Sequence, residues 1–300
     1  MSLDKNLPAL SIGTGLALKN ASKSLKITNK LLKESDDSKK SWKWWIELSN
    51  GWKDSFFPHP YDWGWDKHEV SEDYDWFEDI VKNYWLNYDL MNESVSELYG
   101  KTELSLLANS CSDLKPLTKL PNLKNLIISV YKGDDENNIS QLKELRNLES
   151  LNLELCELKG FSSLYTLTSL KRLELNNNDI HDLSVICSFK KLKHLKILQQ
   201  NLLNIEFLGS LDFLEVLDVG RSFGIFNYNS ISDIKVLANL RMLQKLNLTG
   251  NCITNIDPLK NLSNLRELNL QNNPVSIKDI DKLQKSLPNC LIIYDNSFSI

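Results

Sequence analysis

Cysteine and histidine are scarce in this sequence, and neither residue type forms a recognisable site. Five cysteines and four histidines are spread over 300 residues. The cysteines are odd in number and none has C-x-x-C spacing, which argues against a disulfide framework or a zinc site. His68 precedes Glu69 without a second ligand at helical spacing, and His181 lies on a predicted turn. We therefore expect no metal, no cofactor and a reducing compartment.

Motifs of catalysis and nucleotide binding are missing. The sequence contains no G-x-x-x-x-G-K-[ST], G-x-G-x-x-G, H-E-x-x-H or G-x-S-x-G, the patterns that hold phosphates, ligate zinc or expose a serine nucleophile. Acids are numerous in residues 61–97, but nothing in their pattern supports a glycosidase-type pair. We expect no enzymatic activity and no small-molecule substrate. An enzyme housed in residues 35–100 is a rival hypothesis.

Long apolar runs are also missing. No run approaches the roughly 20 apolar residues of a membrane span. The stretch LPALSIGTGLAL at 7–18 has the length of a signal-peptide core, but Asp4 precedes it and polar residues interrupt it. No small-x-small cleavage site follows. We expect a cytoplasmic protein, with a cleaved signal at residues 1–18 as the alternative.

Tryptophan is absent after residue 85. All eight tryptophans lie before that point, four of them in SWKWWIELSNGWKDSFF at 41–57. The net charge of -4 is also uneven, because residues 1–60 hold ten Lys and six acids whereas residues 61–100 hold two Lys and eleven acids. An acidic, aromatic block therefore precedes a nearly balanced body.

The body is a tandem repeat. The segments LKRLELNNNDIHDL at 170–183, LQKLNLTGNCITNI at 243–256 and LRELNLQNNPV at 265–275 share the pattern L-x-x-L-x-L-x-x-N-x-I. Eight copies fit one frame, with successive spacings of 22, 25, 22, 22, 22, 29 and 22 residues. The second leucine of each copy falls at Leu104, Leu126, Leu151, Leu173, Leu195, Leu217, Leu246 and Leu268.

These repeats resemble the leucine-rich repeat family, most closely the 22-residue type of internalins, over about residues 101–300. The resemblance implies an α/β solenoid with a parallel concave sheet, and it says little about function. The phrase WWIELSNGWKDSFF also resembles a W-W-x-x-L-S-x-x-W-K-x-x-F element that precedes the repeats in some bacterial leucine-rich repeat proteins. We therefore divide the chain into a helical, Trp-rich N-terminal cap at 1–100, eight repeats at 101–275 and a C-terminal cap at 276–300.

The repeat pattern has a direct physical reading. In L-x-L both leucines point to one side of a short strand, and stacked coils join them into one core. The Asn position turns the chain inward, where the amide satisfies backbone groups left unpaired by the turn. Asn109, Asn178, Asn251 and Asn273 occupy that position, and Cys156 replaces them as a buried structural thiol. Tyr131, Gln200 and Ser222 depart from the pattern there, which predicts irregular turns.

Both ends of a solenoid need covering. In residues 71–90, apolar side chains from Phe77 to Tyr88 recur at helical spacing, and Ser94-x-x-Glu97 is a capping box for a short helix that ends at Gly100. Aromatic burial there would stabilise a lid over the first repeat, with a partner-binding aromatic patch as the alternative. At the other end, residues 276–295 predict a helix with Ile277, Ile280, Leu283 and Leu287 on one face, followed by Pro288 and a strand.

Residues 16–34 predict a basic amphipathic helix. Lysines at three- and four-residue steps form one stripe, with leucines roughly opposite. We expect the leucines to pack on the cap and the lysines to face solvent. The alternative is a membrane-surface or nucleic-acid associated protein that uses this helix; deleting residues 1–35 without changing liposome or DNA binding would exclude it.

The repeats present one continuous surface. Eight strands about 4.8 Å apart form a face close to 40 Å wide, enough for a protein interface. Mixed charges favour a protein partner over a phosphate backbone, so we expect neither nucleic acid nor membrane to be the ligand. The outward residues in the middle of each strand, here called the central row, are Ser105, Ile127, Asn152, Glu174, Lys196, Asp218, Asn247 and Asn269.

The 29-residue spacing adds an aromatic loop within residues 222–230, and a three-residue insertion at 132–138 projects from the same edge. These loops could bracket a ligand, or the aromatic side chains could cover a neighbouring coil.

We predict a non-enzymatic, bacterial protein that binds a protein partner through the concave face and edge loops, such as an immunity or adaptor protein. The predicted contact residues are Arg172, Glu174, His194, Lys196, Asp218, Arg221, Phe226 and Tyr228.

Overall fold

The chain divides into two compact units. One contains Met1–Leu48 and Pro60–Gly100, and the other contains Ser49–His59 and Lys101–Ile300. The predicted helices at 16–34 and 71–90, the tryptophans and the C-terminal residues 296–300 lie outside the described residues. The computed structural model describes residues 40, 48, 97–108, 113–131, 139–156, 158, 161–178, 180, 182–198, 202–221 and 229–295.

A single parallel sheet runs through the second unit, with nine strands in chain order, each paired to the next. The second leucines of successive repeats are register partners, for example Leu104 with Leu126 and Leu217 with Leu246. The predicted parallel sheet and repeat frame are therefore confirmed. The strands are β1 (Glu103–Leu107), β2 (Asn125–Ser129), β3 (Ser150–Glu154), β4 (Arg172–Asn176), β5 (His194–Leu198), β6 (Val216–Asp218), β7 (Lys245–Asn247), β8 (Glu267–Asn269) and β9 (Leu291–Ile293).

From β1 to β8 each coil returns to the sheet through a short 3-10 helix, because parallel neighbours need a crossover connection. Every one of these helices buries at least one apolar side chain, such as Leu117, Leu208 or Leu259. Four of the helices begin after an Asp or Asn whose side chain accepts a backbone N–H two residues later, as at Asp182. The helices span Lys115–Lys119, Ser140–Glu144, Phe161–Thr166, Ser184–Ser188, Glu206–Ser210, Lys235–Asn239 and Asp257–Asn261.

A row of asparagines closes the turn after the strands. The Oδ1 of Asn178 accepts the N–H of Cys156 at 2.8 Å, and its Nδ2 donates to the carbonyl of Leu153 at 2.9 Å. Each asparagine therefore links its own coil to the preceding one by using donor and acceptor together. The same arrangement recurs at Asn229, Asn251 and Asn273.

Asn229 was not predicted to belong to this row. The sequence frame places Ser222 there, but the structure places Asn229, whose Oδ1 accepts the N–H of Leu202 at 3.1 Å. The seven extra residues therefore enter between Arg221 and Asn229, inside the turn that the asparagine closes. Ser222 itself lies outside the described residues.

Cys156 replaces the asparagine of the third repeat, as predicted. Its thiol lies 3.2 Å from the carbonyl of Glu154 and 3.6 Å from that of Ile128. Burial raises the pKa of this thiol, although a hydrogen bond from the backbone of Tyr131 acts in the opposite direction. Cys156 is therefore a buried hydrogen-bonding group within the turn.

Several strands are followed by a residue in the left-handed backbone region. Asn177 and Asn272 occupy this position with φ of 54°, and Gly250 occupies it with φ of 69°. Asparagine and glycine adopt this conformation readily. Val130 and Leu155 hold it with φ of 57° and 53°, although L residues with larger side chains disfavour it.

Leu155→Asn should therefore raise the free energy of unfolding by about 1 kcal/mol. The Leu155 side chain is 54% exposed, so replacing it loses little buried apolar surface. Urea unfolding of the variant and wild type measures the change. Leu203→Asn is the matched control, because Leu203 is 72% exposed and its φ is not positive. A gain of the same size in both variants would contradict the backbone explanation.

The C-terminal segment forms the predicted helix and strand. Helix α1 spans Ile277–Ser286, and the Ser276 side chain accepts the N–H of Asp279 at its N-terminus. Ile280, Leu283 and Leu287 are buried, as their spacing predicts. Ile277 begins α1 and is 39% exposed, so only the last three of the four predicted apolar residues are buried. Residues 97–100 are helical and the helix ends at Gly100, as predicted.

Candidate protein-binding face

Five of the predicted contact residues lie together on strands β4, β5 and β6. Arg172 is the register partner of His194, and Glu174 is the partner of Lys196. Lys196 is in turn the partner of Asp218. Neighbouring strands are about 4.8 Å apart, so these side chains form one patch in which charges alternate in sign along the central row. We call these five residues the charged patch.

Arg172 and Glu174 form an ion pair on β4. The Arg172 Nε donates to Glu174 Oε1 at 2.9 Å. Glu174 Oε2 lies 3.5 Å from the Nδ2 of Asn152 on β3. Glu174 is therefore paired with Arg172 and makes only a long contact with Asn152.

His194 lies next to this ion pair. Its pKa is lowered mainly by burial and secondly by the positive charge of Arg172. Glu215 acts in the opposite direction with a smaller effect. His194 is therefore neutral at pH 7, and its imidazole offers one donor and one acceptor to a ligand.

Lys196 differs from the lysines that immediately precede the strands. Lys171 and Lys193, which precede β4 and β5, pair with Glu149 and Glu215 at 2.6 and 2.7 Å. Lys196 has carboxylates on both neighbouring strands, yet it forms no hydrogen bond or ion pair with any part of the chain that the structure describes. Its ammonium group is therefore available to a partner.

Asp218 ends strand β6. Its Oδ1 accepts the N–H of Gly220 at 3.1 Å, and Asn247 and Asn269 make the corresponding bonds at the ends of β7 and β8. Each of these side chains accepts a backbone N–H that would donate to the neighbouring strand if the strand were longer. This explains why β6, β7 and β8 have only three residues. Burial raises the pKa of the Asp218 carboxyl, and Lys196 partly opposes this.

Asp218→Asn should stabilise the protein at pH 7 by at most about 1 kcal/mol. The raised pKa means that the protonated carboxyl favours the folded state, so wild type loses stability as the pH rises through that pKa. Asparagine copies the neutral form and keeps the acceptor. Urea unfolding at pH 7 and at about pH 3, below the ordinary Asp pKa, measures the effect. The difference should disappear at the lower pH, and a constant difference would contradict the titration of Asp218 as its cause.

The other predicted contact residues follow β6. Arg221 is exposed and packs over Gly250, since a Cβ on Gly250 would lie 2.6 Å from the Arg221 Cβ. Phe226 and Tyr228 lie outside the described residues, so their contacts stay predictions.

Two outward residues were missed by the sequence frame. Glu154 and Asn176 end strands β3 and β4, two positions beyond the central row, and are register partners. The pattern L-x-L predicts three-residue strands, whereas β1 to β5 have five residues. The longer strands are indicated in the sequence by the polar residue that follows the second leucine of L-x-L.

Two further features of the described residues bear on function. They contain no group of His, Cys, Asp and Glu suited to a metal ion. No helix in the described ranges has the length and apolar character required to cross a bilayer.

Comparison with known proteins supports the fold. A family model described as Leucine Rich repeats (2 copies) matches residues 241–285. The structure of internalin inlF from Listeria monocytogenes matches with a TM-score of 0.52 and 29% identity, over 63% of this chain and 55% of that one. The chain has the leucine-rich repeat fold. Comparison with curated proteins gives no match.

Two other solved structures are similar to this leucine-rich repeat chain. Internalin C2 from Listeria monocytogenes matches with a TM-score of 0.54 and 26% identity, over 65% of this chain and 80% of that one. Leptospira interrogans LRR protein LIC12759 matches with a TM-score of 0.53 and 29% identity, over 64% and 48%. This chain thus spans about half the length of inlF and of LIC12759. Leucine-rich repeat domains are generally protein-interaction modules and typically not enzymes.

Proposed function

We propose that the protein is a non-enzymatic binding protein whose outward sheet face receives one protein partner. The observation that carries the proposal is Lys196, an ammonium group on the sheet between Glu174 and Asp218 that pairs with neither. A surface that leaves a lysine unpaired beside two carboxylates suits a partner with complementary charges. Arg172 and His194 extend the patch with further donors.

The edge loops enlarge this surface in our proposal. Phe226 and Tyr228 would contribute aromatic contacts from the inserted segment 222–228, since aromatic side chains are enriched at interface hot spots. The insertion at 132–138, which the sequence predicts to project from the same edge, would add to this surface. Nine strands about 4.8 Å apart provide a face slightly more than about 40 Å wide, sufficient for a standard interface.

Within this class, an immunity or adaptor protein of the bacterial cytoplasm is the role that we favour. A single continuous binding face suits a protein that blocks or recruits one partner. The free cysteines support a reducing compartment, because Cys187 and Cys252 are exposed as thiols. The similar solved structures from two bacteria support a bacterial source.

The test is quantitative affinity capture from the source lysate with the full chain as bait. Lys196→Ala and Asp218→Asn should each reduce one specific partner by about tenfold, the effect of losing one hot-spot contact. Asp218→Asn is informative because the fold tolerates or favours it. A Phe226, Tyr228 and Lys196 triple alanine variant should lose that partner completely.

Lys260→Ala is the matched control, because Lys260 is an exposed lysine on the 3-10 helix Asp257–Asn261. It should retain the partner at the wild-type level. Equal capture by wild type and all face variants would refute the assignment of this face. So would loss of the same partner with Lys260→Ala.

A further inference from the structure

Two polar groups on the outward face of β3 and β4 lack hydrogen-bond partners. The Oδ1 atoms of Asn152 and Asn176 are shielded from solvent and accept no hydrogen bond from any residue that the structure describes. Asn176 is only 8% exposed. A shielded acceptor without a donor is unfavourable, because it has given up hydration without replacement. The asparagines of the turn, such as Asn178, are by contrast bonded through both side-chain atoms.

A carboxylate lies next to these amides. Glu154 is the register partner of Asn176 and lies two residues beyond Asn152 on β3. In the described part of the chain its carboxylate takes no hydrogen bond or ion pair, whereas Glu174 on the next strand pairs with Arg172 at 2.9 Å. Asn152, Glu154 and Asn176 thus form a cluster of acceptors, here called the acceptor patch.

Exposed apolar side chains flank the acceptor patch. Ile127 is the register partner of Asn152 and is 41% exposed. Leu155 is 54% exposed, and its N–H donates to the carbonyl of Asn176 at 3.1 Å. Leu155 also holds a left-handed backbone that asparagine or glycine adopts more readily. Features that are unfavourable in the free protein are therefore concentrated at one place.

We propose that the acceptor patch binds an arginine side chain of the protein partner. This inference rests on the proposed function and adds the chemistry of one contact. A guanidinium carries five N–H donors in a plane, so it can pair with both oxygens of Glu154 and still donate to the amide oxygens. Lysine offers three donors around a single point and matches this spread of acceptors less well.

The dimensions of the sheet suit such a contact. Neighbouring strands are about 4.8 Å apart, and outward residues on one strand repeat about every 6.6 Å, so one guanidinium reaches all three residues. The terminal torsion of asparagine is soft, so both amide oxygens can turn toward an arriving donor. The arginine stem then packs between Ile127 and Leu155.

The first test titrates the full chain with N-acetyl-arginine methylamide and follows the side-chain amides of Asn152 and Asn176 by NMR. The arginine probe should give saturable shifts with a Kd in the millimolar range, roughly 1–10 mM for a single side chain. The citrulline analogue has nearly the same shape without the charge and should bind at least about tenfold more weakly. Absence of saturable shifts with the arginine probe would overturn the proposal.

Variants locate the contact. Glu154→Gln should weaken the arginine probe about tenfold, whereas Glu206→Gln, an exposed glutamate on a 3-10 helix, should leave binding unchanged. Asn176→Leu should raise Tm by about 2–4 °C and weaken the probe, because it removes an unsatisfied acceptor together with a ligand contact. Unchanged affinity in Glu154→Gln would refute the patch even if Asn176→Leu failed to fold.

The outcome separates this inference from the proposed function. If the arginine probe fails to bind while Lys196→Ala still loses the captured partner, the acceptor patch is wrong and the binding face stands. If the probe binds through Glu154 while capture is independent of Lys196 and Asp218, the acceptor patch stands and the charged patch is wrong.

Discussion

Replacing Asn251 with alanine should lower the free energy of unfolding by about 3 kcal/mol. The Asn251 side chain is 5% exposed, and its Oδ1 accepts the N–H of Ile231 at 3.0 Å. Its Nδ2 donates to the carbonyls of Val219 at 3.1 Å and Leu248 at 3.0 Å. The substitution leaves these backbone groups unsatisfied, and a buried group without its partner costs about 1–3 kcal/mol.

Denaturant unfolding followed by circular dichroism measures this loss. Asn261→Ala is the matched control, because Asn261 is exposed at the end of a 3-10 helix. It should change stability by less than about 0.5 kcal/mol. Similar effects of the two substitutions would mean that the asparagine row does not hold the coils together.

Leu195→Ala should lower the free energy of unfolding by about 3–4 kcal/mol. Leu195 lies in the middle of the stack on β5, is 1% exposed and is paired in register with Leu173 and Leu217. Truncation removes apolar burial and leaves a cavity that its neighbours fill incompletely. Leu203→Ala, at a position that is 72% exposed, should have little effect. Equal effects of the two substitutions would show that the leucine row is not the core.

The sequence predicted the sheet well because its determinants are periodic. Leucines that recur at a regular spacing predict the register of the strands, and Leu104 pairs with Leu126 and Leu151 with Leu173 as expected. The helix Ile277–Ser286 was predicted from its apolar spacing. Such features depend on local pattern and burial, which a single sequence displays.

The insertion was harder to place. The frame resumes at Ile231 after the 29-residue spacing, but the sequence does not show whether the extra residues precede or follow the closing asparagine. Asn229 accepts the N–H of Leu202, which shows that the extra residues precede the closing asparagine. That contact spans 27 residues and involves a neighbouring coil, so no local pattern contains it.

The candidate site was predicted in part. The alternation of side chains along strands placed Glu174, Lys196 and Asp218 in one row, and the structure brings them together. Their individual roles depend on contacts that the sequence does not display. Asp218 bonds to Gly220 and ends its strand, whereas Lys196 forms no pair within the described ranges.

The chain order of the strands has a consequence for biosynthesis. Register partners on β3, β4 and β5 are 22 residues apart, as in Leu151 with Leu173 and Leu173 with Leu195. Each coil can therefore dock on its predecessor soon after leaving the ribosome, without waiting for a distant segment. Newly made chains that stall late in translation would therefore already hold ordered coils of the earlier repeats.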